Sequence, residues 1–407
     1  MAIELSDLTF TEEDDIVPAF GVDEIVNTGV TNTLAGRDRI TGTGNDYGFK
    51  NLGTLNTDDD NDIIRGDASG TGIIIGFGST LNTGKGNDQI SGTGSVNNGL
   101  VNAGTFNTSE GDDNIGGVGI ANGFINEGTG TFNSGDGDDR ILGSSNNNGF
   151  INWGVFNTDD GNDTITAASI RFGIVNSYGS ILDTGNGNDI ITANGSVSIL
   201  NDGTINTGNG DDSITAQPKF TNRGGVFLGD GNDSIITRTA SSSFGLENFN
   251  FVDTGEGNDI ITSTGVLYNE GVINTGNGDD SISVNGGVYN NGGSINTGDG
   301  FDDFIIANGS FQSGVNNSGS VFLGDGEDYL KGFGSGDFYG GNNRDILELP
   351  PGTYTVGIWD TTGIWDRSVT FTSGNVLMIT SEFEQLIAGS AMYHVDSLND
   401  GQIISVA

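Results

Sequence analysis

The chain has 407 residues, no cysteine, and 13 basic against 55 acidic side chains, a formal net charge of −42. That balance argues against a nucleic-acid partner, because phosphate binding depends on Lys and Arg neutralising the backbone, and the missing thiols exclude disulfide staples and thiolate metal sites. Glycine makes up 72 residues, far above the usual share of about 7%, yet without the Gly-X-Y period of collagen.

Residues 1–24 read as an amino-terminal cap or lead-in, with an acidic run at Glu12-Glu-Asp-Asp15. The opening Met1-Ala-Ile-Glu-Leu-Ser-Asp-Leu-Thr-Phe10 lacks the basic and apolar regions of a cleavable signal, so no conventional leader is expected. The longest apolar runs, such as Ile73-Ile-Ile75 and Val376-Leu-Met-Ile379, are too short to span a bilayer.

From residue 25 to 344 one sentence of sequence repeats, with Asn206-Thr-Gly-Asn-Gly-Asp-Asp-Ser-Ile214 as its clearest copy. Aligning the copies on the last aspartate gives Asp38, Asp62, Asp88, Asp113, Asp139, Asp163, Asp189, Asp212, Asp233, Asp259, Asp280, Asp302 and Asp328, with a degenerate fourteenth at Asp345. The spacing lies between 21 and 26 residues, and a fixed period in this range signals a solenoid or propeller. Each period holds a Gly-x-Gly-(Asn/Asp)-Asp turn, a short alternating apolar run such as Ser213-Ile-Thr215, and further breaks at Asn-x-Gly. Three short strands and three bends fit, so the expected fold is all-β: a three-sided parallel β-helix of about 13 coils whose strands pair with the coils above and below. Gly and Asn supply the positive-φ corners of such a coil.

The repeat stops near Pro350-Pro351, and residues 345–407 hold six glycines against 66 in the preceding 344 residues. Two of the three tryptophans, Trp359 and Trp365, lie here, and Thr353-Tyr-Thr-Val356, Ser368-Val-Thr-Phe371 and Val376-Leu-Met-Ile379 read as antiparallel strands. This segment is expected to be a β-rich cap, since an open solenoid end presents unpaired strand edges.

The chemistry lies in the acidic turns. One aspartate per coil sets carboxylates in a row about 4.8 Å apart, where two charges at an effective dielectric near 20 repel by about 3 to 4 kcal/mol before screening. Ca²⁺ answers this repulsion, because it takes six to eight oxygen ligands in flexible geometry and a glycine turn exposes carbonyls beside each carboxylate; Mg²⁺ demands tight octahedral geometry and keeps its waters. Gly208-Asn-Gly-Asp-Asp-Ser-Ile214 resembles the RTX, or haemolysin-type, calcium-binding nonapeptide Gly-Gly-x-Gly-x-Asp-x-hydrophobic-x. The resemblance covers residues 25–345 and implies that the thirteen motif aspartates and their turn carbonyls share a row of up to about 12 Ca²⁺ ions. It also implies a secreted or cell-surface protein, exported through a type I system read from residues 345–407.

Departures from the family pattern are expected to matter. Its tandem nonapeptides give two calcium rows, whereas one turn per coil gives one. Leu34, Asp58, Ser109 and Asp159 replace the first glycine and Asp60 the second, so those turns must accept positive φ without glycine. Arg37 beside Asp38 and Arg344 beside Asp345 mark the expected ends of the row.

A second series, Asn102, Asn126, Asn152, Asn176, Asn201, Asn222, Asn269, Asn290 and Asn316, precedes glycines at another bend. It reads as stacked amides satisfying backbone groups. An ice-binding face is the competing reading of the Thr and Asn repeats, but the outward turn position varies among Lys85, Asp136, Asn209 and Glu256. Catalysis is not expected: the lone histidine, His394, sits in the tail as a surface or packing residue, and no copy gathers several functional residues. The sequence thus points to a calcium-rigidified structural or adhesive module, with an accessory module of a polysaccharide-acting enzyme (lyase or epimerase type) as the alternative. Its candidate partners are calcium ions, a cell-surface polysaccharide or further copies of itself.

Overall fold

The computed structural model describes residues 2–18, 23–306, 311–313, 319–359 and 368–407; Asn316 and Trp365 lie outside them. Two compact units divide the chain, Met1–Pro218 and Lys219–Ala407, and each is a parallel β-solenoid. A coil contains three strands, for example Ile190–Asn194, Val197–Asn201 and Thr204–Asn206. They belong respectively to sheet 1, which follows the acidic turn, sheet 2, and sheet 3, which leads into the next acidic turn. Within the coils each strand pairs in parallel with its own copy one coil away.

Register is set by what each side chain must bury. In the first unit, Ile40, Ile64, Ile90, Ile115, Ile141, Ile165 and Ile191 stack along sheet 1. Leu55, Leu81, Phe106, Phe132, Phe156, Leu182 and Ile205 stack along sheet 3, and Phe49, Ile73, Leu100, Phe124, Phe150, Ile174 and Ile199 along sheet 2. All are buried. Ring contacts tie the columns together, with Phe132 stacked on Phe156 at 4.1 Å and Phe150 edge-on to Phe156 at 4.9 Å. A one-residue slip would turn every apolar side chain outward, so the alternating pattern fixes the pairing.

The bend between sheets 1 and 2 is tight in the early coils. Gly92, Gly117 and Gly143 line its inside in sheet 1, where a Cβ on Gly117 would stand 2.3 Å from the Gly123 carbonyl oxygen. Farther along sheet 1 the same register holds Ala167, Ala193 and Ala216, so the bend opens by about a methyl group.

Both ends depart from the repeat. Ile3–Glu4 and Ile16–Val17 already pair in parallel with Ile25–Asn27 and Arg39–Gly44, so the lead-in forms a partial coil around the buried Leu5. At the other end the coil continues past 345, with Ile346–Leu349 parallel to Gln385–Ala388 and Gly336–Tyr339 parallel to Val376–Ser381. Antiparallel strands then close the edge: Gly352–Trp359 pairs with Ser368–Ser373 and Ile403–Val406. Among the described residues no helix is long and apolar enough to cross a membrane.

The acidic turns stack so closely that glycine is required for space as well as for conformation. Gly187 has φ +139°, and a Cβ there would stand 1.7 Å from the Gly161 carbonyl oxygen of the preceding coil; Gly179, at φ +77°, has open space around it. Gly187→Ala is therefore expected to destabilise the first unit by about 3 kcal/mol or more, and Gly179→Ala by about 1 kcal/mol. Thermal unfolding of the two variants in calcium is the check; equal effects would mean that the turns are free to spread apart.

Candidate metal centre

Each acidic turn joins a strand of sheet 3 to a strand of sheet 1, and its last aspartate folds inward. All thirteen motif aspartates and Asp345 are buried, none more than 2% exposed. The turn holds them through a ladder in which each aspartate's backbone N–H donates to Oδ1 of the aspartate in the next coil. In the first unit this runs from Asp15 onto Asp38 at 2.9 Å, then Asp38 onto Asp62, Asp62 onto Asp88, and so to Asp163 onto Asp189 and Asp189 onto Asp212. In the second it runs from Asp233 onto Asp259 through Asp280, Asp302 and Asp328 to Asp345. One residue earlier an outer ladder runs in the opposite direction: Asn188 N–H donates to Asn162 Oδ1, and Asp211 N–H to Asn188 Oδ1. The alternation of N–H directions explains why the motif ends in two residues carrying a side-chain oxygen.

The second oxygen of the buried carboxylate is different. Oδ2 of Asp38, Asp62, Asp88, Asp113, Asp139, Asp163, Asp189, Asp259, Asp280, Asp302 and Asp345 has no hydrogen-bond partner. It points at the position five residues upstream: at Asp345 that residue is Gly340, where a Cβ would lie 2.8 Å from Oδ2. Elsewhere the position is usually Thr or Ser. Thr57, Thr108, Thr158, Thr254, Thr275 and Thr297 give their hydroxyl proton to a main-chain carbonyl of the next coil at 2.9 to 3.2 Å, which leaves Oδ2 without a donor. Thr83, Ser134 and Thr184 make no such bond and stand beside Asp88, Asp139 and Asp189. Carbonyls of the turn glycines point along the stack as well: a Cβ on Gly208 would stand 1.6 Å from Gly185 O, and one on Gly278 1.9 Å from Gly257 O.

Burial drives the carboxyl groups far above their ordinary range. It pushes Asp62, Asp113, Asp163 and Asp302 up to about 8, Asp88, Asp139, Asp212, Asp280 and Asp345 to about 7, and Asp189 to about 6. Asp38 and Asp259 are raised for the same reason. The N–H donated to Oδ1 opposes the shift without cancelling it.

The donor set consists of hard oxygens: carboxylate, hydroxyl and carbonyl. Such a set fits Ca²⁺, since an orphaned buried carboxylate oxygen recurs at the aspartates named above beside axial carbonyls. Among the described residues no three His, Cys, Asp or Glu side chains converge, so a cation here has few carboxylates and draws its remaining ligands from the main chain and hydroxyls.

The asparagine series behaves otherwise. Asn102 Nδ2 donates to Asn126 Oδ1 at 2.9 Å and to the Thr131 carbonyl at 3.1 Å, and Asn126, Asn152, Asn176, Asn222, Asn248 and Asn269 repeat the pattern. These amides satisfy backbone groups at the bend between sheets 2 and 3, as their spacing indicates. Ile75 occupies the register between Asn51 and Asn102 and interrupts the ladder.

The hydrogen-bond ladder runs one acid beyond the arginine-flanked Asp38 and Asp345: Asp15 N–H donates to Asp38 Oδ1, and Asp345 N–H to Glu384 Oε2 at 2.8 Å. Arg344 turns away to Glu327 at 2.6 Å. The signal for both missed residues is an acid two positions before a buried aliphatic, in Asp15-Ile-Val17 and Glu384-Gln-Leu386, and it escapes a search for glycine turns because neither has one. The glycine replacements do accept positive φ, at 71° for Leu34, 61° for Asp58, 94° for Asp60, 68° for Ser109 and 59° for Asp159. Ser109 is also tied to Asn107 Nδ2 at 2.9 Å. His394 ends an edge strand of the cap and is exposed. No protein-family profile matches the chain, and no curated protein matches it in sequence.

A raised pKa means that the protonated form favours the fold. Its contribution is complete below the unfolded value near 3.9 and is lost as pH rises through the folded values, which here lie between about 6 and about 8. In chelator, the unfolding temperature is thus expected to fall between about pH 5.5 and 8.5, a window in which ordinary carboxylates are already ionised. Millimolar calcium should flatten or reverse the trend, because the metal competes with the proton. Calorimetry across this window decides, and metal-free stability that rises with pH would contradict the row of buried, unpaired oxygens.

Proposed function

We propose that the chain is a calcium-binding structural β-solenoid that works outside the cell. The observation that carries this reading is a choice the scaffold makes at two of its corners. Where a buried side chain needs only to bridge coils, it is Asn, and its amide has a partner on both sides; at the acidic turn it is Asp in every copy, with Oδ2 left over at Asp62, Asp113, Asp163 and others along the stack. An acceptor that bridges to an N–H could equally be Asn, so the retained charge asks for a cation. The ligands would be Oδ2 of the motif aspartates, the hydroxyls five residues upstream, and axial carbonyls such as those of Gly185 and Gly257. When bound, the ion supplies charge compensation and a cross-link between coils, turning metal affinity into folding free energy.

Few carboxylates per ion put each site at the weak end of the calcium range, roughly 10⁻⁴ to 10⁻³ M, the regime of extracellular modules. This favours a secreted or cell-surface location, with a structural or adhesive role for a rod held rigid by its ions. The buried oxygens face the turn interior and are out of reach of a substrate, which supports a non-enzymatic role. A second reading follows from the raised pKa values: protons occupy the row at mildly acidic pH and calcium takes their place as pH rises.

The test is a calcium titration near pH 8, followed by circular dichroism and metal-counting native mass spectrometry. We expect loss of β signal in EDTA, recovery with Ca²⁺ but only weakly with Mg²⁺, and up to about 12 bound ions, given that each is shared between neighbouring turns. Full β content in chelator at this pH, with no ion retained, would refute the reading.

Asp163→Asn gives an independent check. It keeps the Oδ1 bridge while removing the charge. It is expected to lose about one or two ions, since coils couple mainly to their neighbours, and to be at least as stable as the parent in chelator. Unchanged ion stoichiometry would show that the carboxylate is not a ligand.

A further inference from the structure

A different surface, in the second unit, departs from the repeat without any demand of the fold. In the first unit the row of sheet 2 next to its buried column holds Lys50 followed by the aliphatics Ile74, Val101, Ile125, Ile151, Val175 and Leu200 in register, with Ile125 and Ile151 buried. In the second unit the corresponding row reads Thr221, Glu247, Tyr268 and Tyr289. Phe244 lies edge-on to Tyr268 at 5.8 Å and to Tyr289 at 6.5 Å, and Phe249 tilts against Tyr268 at 5.5 Å. Phe244 is 44% exposed, and Phe249 and Tyr289 are each 37% exposed.

A fixed polar rim surrounds these rings. Glu247 accepts from Lys219 Nζ at 2.6 Å and from Thr221 Oγ1 at 3.0 Å. Glu270 accepts from Asn291 Nδ2 at 2.8 Å and from the Tyr268 hydroxyl, and the Arg223 guanidinium lies over Phe249 at 5.8 Å. Exposed aromatics on a rigid sheet, with carboxylate and amide groups already oriented beside them, match one ligand chemistry. A pyranose offers a face of C–H bonds that packs on a ring and a rim of hydroxyls that both donate and accept.

We propose that this face, centred on Phe244, Tyr268 and Tyr289, binds a neutral polysaccharide chain. Neutral sugar is favoured over a uronate because Glu247 and Glu270 would repel an anion. It is favoured over a cationic ligand because Lys219 and Arg223 flank the rings, which meet edge-on or tilted and do not converge as a cage. Tyr268 and Tyr289 stand on neighbouring strands in register, so successive sugar rings can follow the stack of coils. The platform shares no residue with the aspartate row and does not rest on the calcium reading, so the experiment keeps calcium present throughout.

The full chain is run by affinity electrophoresis through gels cast with xyloglucan, hydroxyethylcellulose, galactomannan or laminarin. We expect retardation in at least one gel, weakened roughly tenfold or more, about 1.4 kcal/mol, by Tyr268→Ala or Tyr289→Ala. Tyr289→Phe keeps the ring and should retain binding, and Tyr178→Ala, which removes a tyrosine 93% exposed in the first unit, should leave it unchanged. A readout that needs no variant is nitration of the parent by tetranitromethane, where the retarding polysaccharide should shield Tyr268 and Tyr289 but not Tyr178. No retardation in any of the four gels, or equal nitration with and without the polysaccharide, would overturn the proposal.

Discussion

The constraint on which the rest of each unit depends is axial self-satisfaction: a polar group at a corner finds its partner in the copy of itself one coil away. Asn102 bonds Asn126, Asp163 N–H bonds Asp189 Oδ1, and Asn188 N–H bonds Asn162 Oδ1. A buried backbone or side-chain donor must be paired somewhere, and translation by one coil supplies the same answer each time. The repetition in the sequence is therefore a direct consequence of hydrogen-bond accounting. It also explains why loop length between copies can vary by several residues while the buried aspartate at the acidic corner does not.

The same constraint makes an unpaired group informative. Most corner atoms have their copy or a carbonyl to meet, so the unpartnered Oδ2 of aspartates such as Asp62, Asp113 and Asp163 is a local failure of self-satisfaction that recurs along the stack. A buried acceptor without a donor is unfavourable, and a charged one more so. Either a proton or a cation resolves it, and the raised pKa values are the electrostatic measure of the same burial. Hydrogen-bond geometry and titration thus describe one physical fact.

Interruptions of the repeat carry the remaining information. At the ends, acids without glycine turns, Asp15 and Glu384, take over the pairing, and antiparallel strands cover what would otherwise be an open edge. In the second unit, Glu247, Tyr268 and Tyr289 hold register positions that aliphatics hold in the first, and Phe244 and Tyr289 are exposed there. Solvent-facing positions are free of the stacking constraint, so a change of residue class there reflects a contact the coil itself does not need.

Much of the architecture was legible in the residues alone. The period, the alternation of Ile, Phe and Val, and the Gly-x-Gly-(Asn/Asp)-Asp turns determine a parallel β-solenoid, its corners, the aspartate row, the amide ladder and a β-rich cap, because each depends on local pattern repeated in register. Spacing could not tell which way a corner side chain points, since the same motif can present its carboxylate to solvent or to the turn interior. Only the packed coil shows Asp163 buried with one oxygen bridged and the other orphaned. Nor could spacing show that Asp15 and Glu384 extend the row, or that Phe244, Glu247, Tyr268 and Tyr289, up to 45 residues apart in sequence, meet on one face. Stacking converts separations of about one period into contacts of a few ångströms, and that conversion is a property of the tertiary structure.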